Sequence, residues 1–524
     1  MKNSIFLLFL FFGFAAHAQQ DSLKIAVSEI FNDEKHTTSL LFAKEDTNGD
    51  IFVVRNYYSS ISSPKGYYIE HYDKNLNLLK KTTIAINRSE IKGLYLTEDS
   101  VVLLQFQHNY REKKYAFVTL TSSKKDFNFK ENEIYSIHRN RLTKYERFGM
   151  RSEPEFNLHQ QNNLGDIVES ENGEFVALNL FTKTDNSDAL LVVTFNKKFE
   201  KIYEYEFENL ISLKETSNTA LPLEYQNMVL DKNGTVYFLA RVFNNTDKKL
   251  EKKDAPNYYF ILFKANKISK KQEIISVESD NIIRSLQLAI KEDNLASVGF
   301  YTKTTNTGLF DLSRGLDYDG IVHFKLDPVS LSTLSESFQP FSEEFILEKY
   351  GKLKENINTH LSYRNIFTLD NGDIIINAEE FEMPVLNEIT FANRIYKDII
   401  TFRINKDGKL IWAKNINKKQ NAWSLSNVPF LSYAATVKND ISYYFVNADS
   451  DLKELTNDRI KLNDGPKLYV LNVSGNGDLK YNIPLYSNIF NAKLEVRFEV
   501  SINNSDLLIQ AESNNRPLLV KLYF

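Results

Sequence analysis

The chain has 524 residues, of which 42% are hydrophobic, so it can bury a substantial core and global disorder is excluded. Its 64 lysines and arginines nearly balance 68 aspartates and glutamates, and the sequence has no basic stripe for nucleic acid. The absence of cysteine excludes disulfides, thiolate chemistry, Cys-ligated metals and lipid attachment at a cysteine.

The first predicted element is a secretory signal peptide over residues 1–18. Lys2 supplies the positive charge, Ile5 to Ala16 is a short apolar run, and Ala16-His17-Ala18 gives the small-x-small cleavage pattern. A membrane anchor is the alternative, but a spanning helix needs about 20 apolar residues. No second long apolar stretch follows. We therefore expect an exported protein, periplasmic or secreted, that is not a lipoprotein and has no transmembrane helix in the mature chain.

A hairpin pattern then repeats along the rest of the chain. Each copy has an apolar strand, a polar turn and a second, alternating strand, with β-branched and aromatic residues around Asn, Asp, Lys or Gly. The clearest copy spans 399–414, and the others are 67–83, 116–134, 190–207, 259–277, 321–338 and 467–485. A 3.6-residue apolar period is nearly absent, which argues against a helical solenoid.

A further strand precedes most hairpins and is often introduced by Asn-Gly, which tolerates the positive φ of a tight turn. Examples of these strands are 51–57, 175–180, 236–240 and 374–378. They are apolar on both faces, as expected for strands buried between packed sheets. The pattern predicts four-stranded blades of an all-β propeller.

The two ends of the chain predict how the ring closes. Residues 506–524 resemble a repeat that lacks its outermost strand, while Leu23 to Phe31 is a strand-like segment without a repeat of its own. Joining them completes a blade and protects the sheet edges. Seven hairpins and this composite predict eight blades, with seven as the alternative, in a single propeller domain over 19–524.

Two segments depart from the β pattern. Residues 342–357 have apolar residues near helical spacing and predict a short helical insertion, and 244–257 is a charged segment expected to be a solvated loop. A transmembrane β-barrel is an alternative, because Phe524 ends an alternating strand. Strands that are apolar on both faces would place greasy side chains in its lumen. A pair of β-sandwiches is a third option.

Common catalytic and metal-binding motifs are missing. No G-x-S-x-G, H-E-x-x-H or P-loop occurs, and the histidines 36, 71, 108, 138, 159, 323 and 360 form no ligand-spaced pair. Asp317-Tyr-Asp319-Gly320 lacks the other ligands of a calcium loop, so we interpret it as a turn. Glu379, in the pair Glu379-Glu380, could face a pocket, but we expect it on the surface. We assign no catalytic, cofactor-binding or metal-binding residue and expect no cofactor.

Two resemblances concern the stretch 370–420. Gly408-Lys-Leu-Ile-Trp412 resembles the Gly-x-x-x-Trp docking motif of quinoprotein-like propellers, in which the Trp joins neighbouring blades; the other tryptophan is Trp423. The Asn-Gly-Asp strand start, the Asp-Gly-Lys-x-x-Trp turn and the trailing Lys-Lys-Gln resemble uncharacterised exported propeller-like proteins of Bacteroidota-type bacteria. These resemblances imply a propeller fold and an exported location.

The sequence favours a non-catalytic propeller that binds a protein of the cell envelope or an outer-membrane complex, as a scaffold or accessory. This expectation depends on the missing catalytic motifs and on a rigid scaffold that presents loops. The alternative is a glycan-binding or glycan-degrading propeller that uses its central funnel, suggested by 28 tyrosines and 38 phenylalanines. Convergence of aromatic and acidic side chains on the funnel would favour the alternative.

Overall fold

The computed structural model describes residues 23–33, 37–58, 64–86, 88–142, 164–183, 187–212, 223–243, 258–277, 280–303, 316–382, 394–422, 425–449, 460–462, 466–482, 492–503, 505–514 and 516–524. The predicted signal peptide 1–18, the charged segment 244–257, Trp423, His36 and His159 lie outside the described residues. No helix within the described ranges is long and apolar enough to cross a membrane.

After a short first strand, the first half of the chain forms four blades. The first strand is β1 (Lys24–Val27). Blade 1 contains β2 (Thr37–Glu45), β3 (Ile51–Tyr58), β4 (Pro64–Tyr72) and β5 (Leu78–Ala85). Blade 2 contains β6 (Ser89–Leu96), β7 (Ser100–Asn109), β8 (Lys114–Ser123) and β9 (Lys130–His138). Blade 3 contains β10 (Leu164–Glu169), β11 (Phe175–Lys183), β12 (Ser187–Asn196) and β13 (Lys201–Ser212). Blade 4 contains β14 (Leu223–Leu230), β15 (Val236–Phe243), β16 (Tyr258–Ala265) and β17 (Lys270–Ile274).

Four more blades follow. Blade 5 contains β18 (Ile282–Lys291), β19 (Asn294–Thr302), β21 (Gly320–Leu326) and β22 (Thr333–Pro340), with β20 (Leu316–Tyr318) paired to β23 (Ile357–Thr359) beside it. Blade 6 contains β24 (Leu361–Thr368), β25 (Ile374–Glu382), β26 (Arg394–Ile404) and β27 (Leu410–Ile416), extended by β28 (Lys418–Ala422) and β31 (Ile460–Leu462). Blade 7 contains β29 (Ala434–Lys438), β30 (Ile441–Asp449), β32 (Pro466–Val473) and β33 (Leu479–Asn482). Blade 8 contains β34 (Ala492–Leu494), β35 (Val500–Ser501), β36 (Leu507–Ser513) and β37 (Arg516–Tyr523).

The ring closes through β1, which is the outermost strand of blade 8. It pairs antiparallel with β37 from Lys24 opposite Tyr523 to Val27 opposite Val520. The predicted propeller of eight blades, completed by the two ends of the chain, is confirmed. Within each blade we call the strands A to D from the channel outward. Because the strands are antiparallel, the A–B and C–D turns share one end of the ring, here called the turn end.

The core is divided among the gaps between blades. Among the described residues, each pair of consecutive blades has its own cluster of buried side chains, including the pair formed by blades 8 and 1. A ninth, smaller cluster contains Phe381, Tyr396, Val428 and Leu431. In β11, Leu178 packs toward blade 2 while Ala177 packs toward blade 4. Alternate side chains of a strand point to opposite faces, so a strand between two blades must be apolar on both. This explains the apolar runs of the B strands.

The turns at the turn end repeat one local device. Asp231 Oδ1 accepts the backbone N–H groups of Asn233 at 2.8 Å and Thr235 at 2.7 Å, and Gly234 has a φ of 81°. A short side chain that caps its own turn, followed by a residue that tolerates positive φ, fixes a tight connection. The same device occurs at Asp46 and Asn405.

Within the predicted helical insertion 342–357, the structure has α1 (Glu343–Tyr350). Ser342 Oγ accepts the N–H of Phe345 at 3.1 Å, which caps the start of the helix. Gly351 follows with a φ of 67°, a left-handed conformation that ends the helix before residue 357. Single 3₁₀ segments occur at Arg139–Arg141, Leu425–Phe430 and Val496–Phe498.

Candidate functional site

A cavity of about 970 Å³ opens at the turn end of the central channel. It is lined by the final residues of the A strands of blades 3 to 7, by A–B turn residues of blades 3, 6 and 7, and by Ser505 in the A–B turn of blade 8. This size lies at the upper end of the range for cavities that enclose small ligands or short chain segments. These residues were not predicted from the sequence. Their position was indicated there, because each lining segment lies directly before or within an A–B turn.

Polar and apolar residues line the cavity in equal number. The A strands contribute a band of partly exposed side chains: Val168, Val229, Ile290, Ile366 and Val437. Phe367 is the one aromatic side chain among the described residues that line it. Other rings pack in the gaps between blades, as Phe207 of blade 3 does against Phe238 of blade 4 at a centroid distance of 5.2 Å. The cavity therefore offers little surface on which a sugar ring could stack.

Carboxylates stand at the mouth of the cavity, and lysines lie between them. The side chains of Glu171, Asp370 and Asp440 are 61%, 102% and 59% exposed. Lys291, whose side chain is 18% exposed, reaches Asp370 Oδ1 at 3.2 Å and also bonds Glu171. Its hydrogen bond to Glu171 raises the pKa of Lys291. These acids are solvated or ion-paired, which is unsuited to proton transfer in a reaction.

A bulge interrupts the A strand in each of blades 1 to 6. At each shift in the pairing, strand A has one residue more than strand B. A bulge bends the strand and redirects a side chain. The redirected residues include Leu41, Lys92, Asp166, Gln226, Arg284 and Arg364. All six lie on the innermost strand of their blade, several residues before its A–B turn.

Polar side chains at these bulges connect one blade to another. Asp166 Oδ2 accepts from Tyr225 Oη at 2.7 Å and from the N–H of Met228 at 3.3 Å, joining blades 3 and 4. Arg364 Nη2 donates to the carbonyl of Arg497 at 3.1 Å and so passes from blade 6 to blade 8. In the described part of the channel, these groups hold the blades of the propeller together.

Glu379 is buried between blades 6 and 7 with an exposed fraction of 1%, so the expected surface position was wrong. Its carboxylate bonds Lys418 Nζ and accepts from Ser432 Oγ at 2.5 Å. Burial lowers the pKa of Lys418. The sequence gives no local sign of this burial, because the lysine that pairs with Glu379 lies 39 positions later in the chain.

Glu380, the next residue, points into the opposite gap. Lys349 of α1 reaches its carboxylate at 2.5 Å and Asp398 Oδ2 at 3.0 Å. Burial raises the pKa of Glu380. Because side chains alternate along a strand, the two adjacent carboxylates point to opposite faces. Each is paired with a different lysine.

A second group of buried charges lies in blade 8, where β34 and β35 are separated. Burial raises the pKa of Glu495 to about 8 and that of Glu499 to about 7. Gln510 Nε2 donates to Glu495 Oε1 at 2.9 Å and to the carbonyl of Thr38 in blade 1 at 2.7 Å. These groups bridge the last blade and the first.

Trp412 joins blades 6 and 7, as its resemblance to the docking motif implies. Its Nε1 donates to the carbonyl of Gly475 at 3.2 Å, in the C–D turn of blade 7. A Cβ on Gly477, whose φ is 93°, would lie 2.7 Å from Trp412 Cβ. The indole is 6% exposed and therefore does not present a binding surface.

The described histidines are dispersed through the blades. His71 stacks on Phe52 at 4.3 Å, His108 stacks on Tyr115 at 4.4 Å, and His323 is buried next to blade 6. Burial lowers the pKa of His323 to about 4. Within the described ranges, no group of three potential metal ligands comes together.

The interpretation of 317–320 as a turn was wrong. Leu316–Tyr318 is the strand β20, which pairs with β23, and Gly320 begins β21. Asp319 Oδ2 accepts from Thr302 Oγ1 at 2.8 Å and from the N–H of Lys303 at 2.7 Å. The sequence signal was turn-like because Asp and Gly favour turns, but pairing with a distant strand outweighs that preference.

Fold and channel together define the class: this chain is a β-propeller of eight blades. Among solved structures, it is similar to the polysaccharide lyase Uly1, with a TM-score of 0.40, 10% identity, and coverage of 92% of this chain and 89% of that one. It is also similar to the β-propeller domain of the Trilobed protease from Pyrococcus furiosus, with a TM-score of 0.38, 8% identity, and coverage of 87% and 99%.

A third neighbour is the NanB sialidase from Streptococcus pneumoniae, with a TM-score of 0.33, 9% identity, and coverage of 95% and 94%. No protein-family model and no curated protein matches the chain. Likeness at this level concerns the architecture alone.

Proposed function

We propose that this chain is a non-catalytic binding propeller that serves as a scaffold or accessory for a protein complex of the cell envelope. The observation that carries the proposal is the state of the acids in the described channel. Those at the mouth are solvated or paired with lysine, and the more perturbed acids and bases of blades 6 to 8 connect one blade to the next. Such groups contribute to a rigid ring, and rigid rings are good platforms for binding.

The envelope location is part of the proposal. It is supported by the predicted signal peptide over 1–18 and by the absence of cysteine, which leaves an exported chain without a lipid anchor. A periplasmic or secreted site follows from that prediction.

The alternative, a glycan-binding or glycan-degrading propeller, has one observation in its favour. Acidic side chains do converge on the channel, at Glu169, Glu171, Asp370 and Asp440. Aromatic side chains do not converge there: among the described residues that line the cavity, Phe367 is the one aromatic side chain. Sugar sites depend on ring stacking as well as on acids, so we rank this function second.

A crosslinking pulldown from intact cell envelopes tests the proposal. The full chain, tagged and exported, is the bait, the exported tag alone is the control, and partners are identified by mass spectrometry. We expect repeated enrichment of one envelope protein or complex. No enriched protein, together with retention of the purified chain on a glycan array, would overturn the proposal in favour of the alternative.

A further inference from the structure

The eight A–B turns encircle the channel at the turn end, and their charge is one-sided. They carry thirteen carboxylates and a single lysine, Lys232. The carboxylates belong to Asp46, Asp50, Glu98, Asp99, Glu171, Glu174, Asp231, Glu292, Asp293, Asp370, Asp373, Asp440 and Asp506. We call this set the acidic ring. Every blade contributes to it, although the whole chain has a formal charge of only −4.

The C–D turns surround the acidic ring on the same end and have a different balance. They carry eight lysines, at 74, 124, 125, 197, 198, 267, 406 and 409, and six carboxylates, at 73, 126, 200, 327, 407 and 478. Some of these lysines reach inward, as Lys124 does to Asp46 at 2.9 Å and Lys197 does to Glu174 at 2.8 Å. The turn end thus has an acidic centre within a mixed rim.

Several acids of the ring are not needed for the turns themselves. Asp46 and Asp231 cap their own turns, and Asp373 bonds Arg403 Nη2 at 2.7 Å. In contrast, Glu171, Asp370 and Asp440 have exposed side chains at the mouth of the cavity, where Lys291 also contacts Glu171 and Asp370. Behind them the A strands add the apolar band that includes Val229 and Ile290, next to polar residues such as Asn227. A ligand that fits both parts carries positive charge and apolar groups together.

The A strands add a third element. Each is the innermost strand of its blade and pairs with strand B on one side alone, so its other edge faces the channel. An extended chain segment can use such backbone groups for hydrogen bonds. The edge is partly occupied where Asn227 bonds the N–H and carbonyl of Leu288 at 2.8 and 2.9 Å.

From these features we infer that the acidic ring and the cavity behind it bind a basic, extended segment of the protein partner. This inference rests on the proposed function and specifies its binding surface. Lysine or arginine side chains would meet Glu171, Asp370 and Asp440, while small aliphatic side chains would contact the band around Val229 and Ile290. Opposite charges at the rim also raise the rate of encounter.

Fluorescence anisotropy with three labelled nonapeptides tests the chemistry. The probes are GKAKVKAKG, GQAQVQAQG and GEAEVEAEG, and the protein is the purified full chain. We expect saturable binding of the lysine peptide alone, weakened as salt rises from about 50 to about 300 mM because exposed charges are screened. Equal binding of all three peptides, or binding of none, would overturn the inference.

Two matched variants locate the site. The triple change E171K/D370K/D440K reverses the exposed acids of the acidic ring, and D126K/E200K/D407K reverses three exposed acids of the C–D turns on the same end. We expect the first to weaken binding of the lysine peptide about tenfold or more and the second to change it less than about threefold. Thermal unfolding of both variants establishes that the ring is intact.

The same two variants, used as baits in the envelope pulldown, separate this inference from the proposed function. Loss of the partner with the first variant alone supports both. Capture of the same partner by both variants and by the unaltered chain overturns the inference and leaves the proposed function standing. Capture of no partner by the unaltered chain overturns the proposed function.

Discussion

At the scale of single residues, the molecule contains ionisable groups that the fold holds away from water. Transferring a charge into the interior is costly unless a partner and hydrogen bonds compensate. Glu495 has a partner for one oxygen, in Gln510, whereas its Oε2 has none among the described residues. Lys418 and Glu379 compensate each other. The two cases predict different responses to substitution.

The first prediction concerns Glu495 and pH. Because burial raises its pKa from 4.5 to about 8, the folded protein binds this proton more tightly than the unfolded chain does. Its contribution to stability is therefore full below about pH 4.5 and is lost as pH rises toward 8. The variant E495Q should match the parent at low pH and exceed it above pH 8 by a few kcal/mol, because each tenfold change in proton affinity corresponds to about 1.4 kcal/mol.

Chemical denaturation across this pH range measures the effect. E273Q, at an exposed position of β17, is the control that changes the same charge, and it should keep the pH dependence of the parent. An E495Q variant that parallels the parent at every pH would show that Glu495 is not held away from water.

The second prediction concerns the ion pair of Lys418 and Glu379. Their side chains are 0% and 1% exposed, so K418M leaves a buried carboxylate without its cation. We expect a loss of about 3–5 kcal/mol in the free energy of unfolding. The double variant K418M/E379L should recover most of it, because a buried pair can often be replaced by apolar side chains.

K419M is the matched control, since Lys419 is exposed and lies one position further along β28. It should change stability by less than about 0.5 kcal/mol. Equal losses in K418M and in the double variant would mean that the pair is not the source of the cost.

At the scale of elements, β1 and the segment after it hold the ring closed. Asp33 accepts from Arg55 Nη1 at 2.9 Å and also bonds Lys81, so the segment is fixed to blade 1. Phe31 lies over the Arg55 guanidinium at 3.6 Å, and its N–H donates to Pro517 in blade 8 at 2.9 Å. The short pairing of β1 with β37 is thus reinforced on both sides.

The third prediction follows from this arrangement. D33A removes one acceptor of a guanidinium that is 0% exposed, although Glu70 still binds it at 2.6 Å. We expect a loss of about 2–3 kcal/mol and earlier proteolysis near the first blade. E29A, in the same segment but exposed, should behave like the parent. Identical melting curves for D33A and E29A would contradict this role of Asp33.

The hairpins and the composite eighth blade could be predicted from the sequence. Hairpins such as 67–83 and 399–414 were predictable because their signals are local: alternating side chains flank a capped turn. The composite eighth blade was predictable because one end lacked the strand that the other end supplied. These signals need no knowledge of neighbouring blades.

The bulges in the A strands and the buried position of Glu379 were not predictable in this way. Whether Arg364 is redirected depends on the register with β25, and the burial of Glu379 depends on a lysine in β28. Both are set by pairing between distant segments, and a single sequence carries no local mark of that pairing. The cavity lining was missed for a related reason: its segments lie next to A–B turns, which the sequence indicates, but only the assembled ring brings them together.

At the scale of the whole molecule, eight blades place the same kinds of turn in register around one axis. Repetition turns a weak local tendency, an acid in an A–B turn, into a continuous ring of charge at the channel mouth. The acidic ring, the cavity with its apolar band and the open edges of the A strands meet at one place. That convergence is the reason to place the partner at the turn end.

Site-specific photo-crosslinking tests this claim most directly. We would incorporate p-benzoylphenylalanine in place of Lys232, in the A–B turn of blade 4 next to the acidic ring, and separately in place of Leu79, 56% exposed on the outer strand of blade 1. After irradiation of intact cells, we expect a discrete adduct with an envelope protein from the Lys232 position and none from the Leu79 position. Adducts from Leu79 alone, or equal adducts from both positions, would contradict it.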